Sequence, residues 1–220
     1  MAHVQEDTKK LPTDPTALRL RFDGPARAEH RLVLAHGAGA PMDSPFLETM
    51  ALELAERGIR VVRFEFPYMR ARRIGKRPPP NRAAVLQETW REVLAKLGSP
   101  EGLILGGKSL GGRMASLIAD RCGVAGCVCL GYPFHPPAKP DKLRTAHLET
   151  LMTPTLIVQG ERDPFGPRAE VTGFRLSSSI EFVWLPDGDH SFRPRKRSGI
   201  TEADNLRAAV QAVASFIQRG

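Results

Sequence analysis

The stretch Gly102-Leu-Ile-Leu-Gly-Gly-Lys-Ser-Leu-Gly-Gly112 decides how this chain of 220 residues is read, because two incompatible motifs claim its serine. Gly107-Lys-Ser109-Leu-Gly111 fits G-x-S-x-G, in which a serine rides a tight turn between a strand and a helix. Gly102 to Ser109 also fits G-x-x-x-x-G-K-S, a loop that wraps phosphate oxygens in backbone N–H groups. The position of the strand separates the two. A phosphate cradle needs its strand to end before Gly102, yet Leu103, Ile104 and Leu105 are apolar in the manner of a buried parallel strand. The strand then fills the space of the cradle. The tight turn, in contrast, needs a strand up to the serine and a helix directly after it. Gly106, Gly107, Gly111 and Gly112 remove the side chains that would collide where the chain doubles back. Leu110, Met114, Leu117 and Ile118 follow at helical spacing.

Outward from this point, strands and helices alternate. Strands are expected over residues 17–22, 31–35, 59–66, 103–106, 124–130, 155–159 and 180–185. Helices are expected over residues 46–57, 81–97 with Asn81 as N-cap, 109–120 and 202–218. Residues 67–80 read as a proline-rich loop, and a loop with a short helix reaches about residue 153. This alternation predicts a mostly parallel sheet with helices on both faces, whose ligand crevice lies beyond the carboxyl ends of the strands.

Composition narrows the class. With 41% apolar residues the chain can bury the core of one domain. No run of about 18 apolar residues is present, so no membrane span is expected. The first ten residues lack the apolar region of a secretory signal, which points to a cytoplasmic protein. Cys122, Cys127 and Cys129 read as reduced core residues, and no further ligands stand at metal-binding spacing, so no metal and no cofactor are expected. The net charge of +8 admits nucleic acid, an anionic surface or an acidic substrate as partner. An arginine-rich surface accounts for it equally well.

A serine nucleophile needs a base to take its proton and a carboxylate to orient that base. In an elbow fold these follow in the order serine, acid, histidine, each from a loop after a later strand. Asp163, in Gln159-Gly-Glu-Arg-Asp163-Pro-Phe-Gly, and His190, in Asp187-Gly-Asp-His190-Ser-Phe, stand in those places. Glu161 and Asp187 are alternative acids. His36 and His135 are rival bases, of which His36 reads as structural and His135 as a residue that meets substrate. The N–H of Leu110 and one from His36-Gly-Ala-Gly-Ala40, with Ala38 preferred over Gly39, would hold the oxyanion. Arg70, Arg72, Arg73, Lys76 and Arg77 form a run without an adjacent acid, and Arg193, Arg195, Lys196 and Arg197 form another. Both runs are expected on the rim of the crevice, with Arg73 binding an anionic substrate.

His36-Gly-Ala-Gly-Ala-Pro-Met-Asp-Ser44, Arg63-Phe-Glu-Phe-Pro-Tyr-Met69, Gly106-Gly-Lys-Ser-Leu-Gly-Gly-Arg113 and Tyr132-Pro-Phe-His-Pro-Pro137 carry a closer likeness. From residue 31 onward the chain resembles the α/β-hydrolase superfamily. More narrowly it is similar to a small lidless subgroup of dienelactone-hydrolase-like size, with bacterial members of unassigned substrate and testis-expressed and chromatin-complex relatives. The resemblance implies a single-domain α/β-hydrolase fold over residues 17–220 after an N-terminal tail of residues 1–16. It implies a sheet of about six to seven strands, little or no lid, and a triad of Ser109, Asp163 and His190. Dienelactone hydrolases use a cysteine nucleophile, so their lactone chemistry does not carry over to Ser109. The function expected is hydrolysis of a small-molecule carboxylic ester or thioester. The competing expectation is a non-catalytic binding or assembly protein of the same fold. Neither a membrane nor a nucleic acid is the expected partner.

Overall fold

The long apolar strands foreseen around the serine stack into one sheet in the computed structural model, which describes residues 14 and 16–219. Most of the expected N-terminal tail, residues 1–13 and 15, lies outside the described residues. The strands are β1 (Leu20–Asp23), β2 (Arg31–Ala35), β3 (Arg60–Phe64), β4 (Leu103–Lys108), β5 (Gly126–Leu130), β6 (Thr155–Gly160) and β7 (Ile180–Leu185). The helices are α1 (Pro45–Glu56), α2 (Pro67–Arg73), α3 (Ala83–Leu97), α4 (Leu110–Ser116), α5 (Ala119–Cys122), α6 (Arg168–Val171) and α7 (Glu202–Arg219).

The sheet order is β1-β3-β2-β4-β5-β6-β7. β1 alone runs antiparallel, pairing with β3; the other neighbours are parallel. Alternate residues of each strand point to opposite faces, so two cores form. Leu32, Leu34, Val61 and Ile104 pack under α1 and α7. Val33, Ala35, Phe64 and Leu105 pack under α3 and α4, where Trp90 meets Phe64 edge-on at 4.7 Å. Between β5 and β6 the regular structure is a single 3-10 turn, Ala146–Glu149.

The chain steps outward from β2 to β3 and then returns to lay β4 on the other side of β2. This reversal opens a crevice above the carboxyl ends of β2 and β4, where a ligand site belongs in such sheets. Below it, a buried ion pair fixes the loop after β2. Arg63 Nε and Nη2 donate to the two carboxylate oxygens of Asp23 at 2.8 and 3.1 Å, and Nη1 donates to Met42 O at 2.8 Å.

Three local expectations are corrected. Residues 67–80 are not all loop, because Pro67 opens α2 with its fixed φ and buries Tyr68 and Met69. Asn81 does not cap α3. Its Oδ1 accepts the Tyr68 N–H at 2.8 Å, satisfying an orphan donor in the first turn of α2, and α3 starts two residues later. The helix after the serine stops at Ser116 and resumes as α5. Ser116 Oγ donates back to Arg113 O at 3.0 Å, a competing bond of the kind that bends a helix.

Candidate active site

The strand of β4 runs straight through Leu103–Lys108, so no phosphate-wrapping loop exists between Gly102 and Gly107. Ser109 then takes φ 50° and ψ −110°, a left-handed conformation that strains a residue bearing a Cβ, by roughly 1–3 kcal/mol. The turn closes because its neighbours are glycines. A Cβ on Gly107 would lie 2.6 Å from the Gly111 carbonyl carbon, and one on Gly111 would lie 2.6 Å from Ala35 O.

Three side chains meet over this turn from loops after β4, β6 and β7. His190 Nε2 stands 2.9 Å from Ser109 Oγ, and His190 Nδ1 stands 2.7 Å from Asp163 Oδ2. In the neutral tautomer with the proton on Nδ1, the imidazole donates to the carboxylate and accepts the serine hydroxyl proton. The Asp163 side chain is fully enclosed whereas that of His190 is 22% exposed, so the acid is sealed and the base faces the crevice. The carboxylate is also held by the Phe165 N–H at 2.9 Å and Gln159 Nε2 at 3.0 Å. The Phe165 ring lies 4.3 Å from the imidazole. The alternative acids point elsewhere: Glu161 pairs with Arg168, and Asp187 with Arg162 and Arg195.

The acid and histidine loops are laced together. Arg162 N–H donates to Gly188 O at 2.8 Å, Asp187 N–H to Glu161 Oε2 at 3.1 Å, and Arg162 Nε to Asp187 O at 3.0 Å. The approach is so close that a Cβ on Gly160 would fall 2.3 Å from Asp189 O.

Two buried amides that the sequence reading missed hold these loops in place. Gln159 accepts the Tyr132 N–H at 2.7 Å and donates to Tyr132 O and Gly166 O as well as to Asp163. Asn205 Nδ2, on α7, donates to Pro186 O at 3.1 Å and to Phe192 O at 2.9 Å, bracketing His190. A polar residue at the head of the 205, 209, 213, 217 row on the buried side of α7 was the available signal for the second.

His36 is structural, as expected. Its Nδ1 lies 2.6 Å from Gly37 O and its Nε2 accepts the Phe66 N–H at 3.1 Å, a pattern that requires the neutral ring. Burial pushes its pKa down to about 4, against smaller opposing effects of Gly37 and Glu65. Tyr68 Oη also donates to Gly37 O, at 3.0 Å. Because the peptide is trans, holding the Gly37 carbonyl to that side turns the Ala38 N–H the opposite way. Leu110 opens α4, so its N–H has no partner within the helix. Ser109, Ala38 and His190 line one cavity of about 540 Å³, together with Phe46, Leu47 and Leu206.

The two side chains expected to meet substrate are not brought to this cavity. His135 is buried with Nε2 3.1 Å from Glu170 Oε1, without hydrogen-bond geometry. Arg73, at the end of α2, turns to Glu65 (2.7 Å) and Asp43 (2.6 Å) and lines a separate hollow of about 350 Å³. The basic runs are also less bare than their sequence suggests, since Arg193 pairs with Glu202 at 3.0 Å and Arg195 with Asp187. Cys127 and Cys129 are buried in the core; Cys129 Sγ lies 3.4 Å from Gly112 O, behind the turn. Among the described residues no three metal-ligating side chains are grouped, and no helix is long and apolar enough to cross a membrane.

A family model for an alpha/beta hydrolase domain matches residues 28–218, and the chain belongs to that family. Among solved structures it is similar to a lidless α/β serine hydrolase from Xanthomonas campestris, with TM-score 0.66 and 19% identity over 92% of this chain and 88% of the other. It is similar also to an α/β serine hydrolase homologue from Coxiella burnetii, with TM-score 0.64 and 21% identity over 92% and 90% of the two chains. A dienelactone hydrolase from Anabaena variabilis gives TM-score 0.64 and 21% identity over 92% and 91%. At such identities the likeness is one of fold.

Proposed function

We propose that this chain is a serine hydrolase that cleaves a carboxylic ester or thioester, with a preference for anionic substrates. Ser109 Oγ attacks the acyl carbon while His190 Nε2 takes the hydroxyl proton, and Asp163 holds the resulting imidazolium through Nδ1. The N–H groups of Leu110 and Ala38 stabilise the negative charge that develops on the carbonyl oxygen. Collapse of the intermediate breaks the bond to the leaving alcohol or thiol, which receives the proton from His190. Water then repeats the sequence on the acyl-enzyme, with His190 as base, releasing the acid and restoring Ser109.

The observation that carries this reading is the unbroken series Ser109–His190–Asp163, at 2.9 and 2.7 Å, on a backbone strained at Ser109. Strain of this kind persists where the surroundings enforce it, and it clusters at reactive sites. The net charge of +8 supports the preference for anions through its long-range field.

A fluorophosphonate probe tests the chemistry. Wild type is expected to be labelled and Ser109→Ala, shown folded by circular dichroism, is not. A folded wild type that resists the probe refutes the reading. Turnover of an anionic ester is expected to fall with added salt more than that of a neutral one, and equal responses remove the long-range preference.

A further inference from the structure

The residue before the nucleophile is a lysine that the proton transfers above leave unused. Lys108 ends β4, and its partly buried side chain passes beside Gly37, with Nζ close to Gly131. Its Nζ donates to His190 O at 2.6 Å and lies 5.7 Å from the ring centroids of both Phe46 and Phe192. An ammonium carries three N–H donors, and the His190 carbonyl is the single acceptor it meets among the described residues. Burial brings its pKa down to about 8, opposed by the fields of Asp163 and Asp189. Neither acid pairs with it directly. Asp163 is engaged by His190, Gln159 and Phe165, and Asp189 Oδ1 accepts the N–H groups of Ser191 and Arg193.

Partly burying an ammonium beside apolar rings and without a carboxylate leaves a charge that a counter-ion would stabilise. The same lysine lines the cavity that holds Ser109, where Arg193, the other basic residue of the lining, already has Glu202. We propose that Lys108 is a specificity-determining residue whose ammonium receives a carboxylate borne by the substrate, so that the cavity takes esters or thioesters carrying a free carboxylate. One cation beside the apolar wall of Phe46 balances a monoanion; a dianionic phosphate would leave a charge uncompensated. The inference rests on the serine hydrolase reading and adds to it a short-range contact independent of the long-range field.

The test compares matched ester pairs at high salt, which suppresses the long-range field. One pair carries a carboxylate or its methyl ester on the acyl chain; the other carries a carboxylate or its amide on the phenol leaving group. Wild type is expected to favour the carboxylate member of at least one pair, and Lys108→Met is expected to lower that kcat/KM ratio roughly 10- to 100-fold, the worth of a charge-assisted hydrogen bond. Reading a ratio cancels any effect of the substitution on His190, which both members share. Labelling by the fluorophosphonate probe shows whether Lys108→Met is folded. If it is not, the wild-type ratios decide alone, together with competitive inhibition by succinate against its dimethyl ester. Wild-type ratios near one, or a folded variant with unchanged ratios, overturn the proposal. A labelled enzyme with no discrimination defeats this inference alone, whereas an unlabelled, inert wild type defeats the hydrolase reading beneath it.

Discussion

Replacing Asn205 by leucine tests whether α7 holds the histidine of the site in place. The side chain is buried, and its amide donates to Phe192 O at 2.9 Å and Pro186 O at 3.1 Å, on either side of His190. Leucine fills a similar volume but removes both donors, stranding two carbonyls. Each lost bond costs about 1 kcal/mol, and each carbonyl left unsatisfied adds to it, for a total of roughly 2–4 kcal/mol. In a domain of this size that lowers the melting temperature by roughly 5–15 °C. The loop that carries His190 then loses its tether to α7. A displacement near 1 Å at the imidazole lowers reactivity about 100-fold, so fluorophosphonate labelling of Ser109 is expected to slow by roughly 10- to 100-fold. Val210→Ala serves as the control, because it weakens the same helix through a fully buried apolar side chain that offers the loop no hydrogen bond. It is expected to cost stability by urea unfolding while leaving the labelling rate near wild type. The reasoning is refuted if Asn205→Leu unfolds within about 0.5 kcal/mol of wild type, or if its labelling rate tracks that of Val210→Ala.

Two further outcomes follow from the same geometry. His36 has its pKa pushed from 6.5 to about 4 by burial, so the folded protein binds fewer protons than the unfolded chain below pH 6.5. The stability linked to this group is complete above pH 6.5, erodes as pH falls and levels off below about 4, for a total of roughly 3 kcal/mol. His147, also lowered by burial, contributes in the same window, so the quantity to read is wild type minus His36→Gln in urea unfolding across pH 4–8; parallel curves would contradict the assignment. Gly160→Ala forces a Cβ to within 2.3 Å of Asp189 O, and is expected to abolish probe labelling more completely than it lowers the melting temperature. Wild-type labelling in that variant would mean that the two loops do not constrain each other.

The sheet and the three central residues were readable because their signals are local. Leu103-Ile-Leu105 is an apolar run, Ser109 lies between glycines, and Asp163 and His190 each follow a strand. What escaped depends on contacts across the chain. The antiparallel sense of β1 is set by its pairing with β3, and Arg63 and Asp23 are 40 residues apart. Asn81 has every local mark of an N-cap, yet its side chain goes to Tyr68, because Pro67 starts a helix where proline reads as loop. His135 and Arg73 lie after strand ends, which made both plausible at the crevice. The fold decided otherwise: Arg73 is captured by Glu65 and Asp43, and His135 is buried beside Glu170. Gln159 and Asn205 act on carbonyls brought close by folding alone, a pattern without periodicity in the sequence.

The interlocking of the segments after β6 and β7, through Arg162, Glu161 and the bare backbone at Gly160, has a consequence for how this scaffold can be rebuilt. Hydrogen exchange should open both stretches together, since neither can swing out without tearing bonds to the other. A chimera that imports one from a relative would inherit half of a mated surface. The two are best grafted as a single piece.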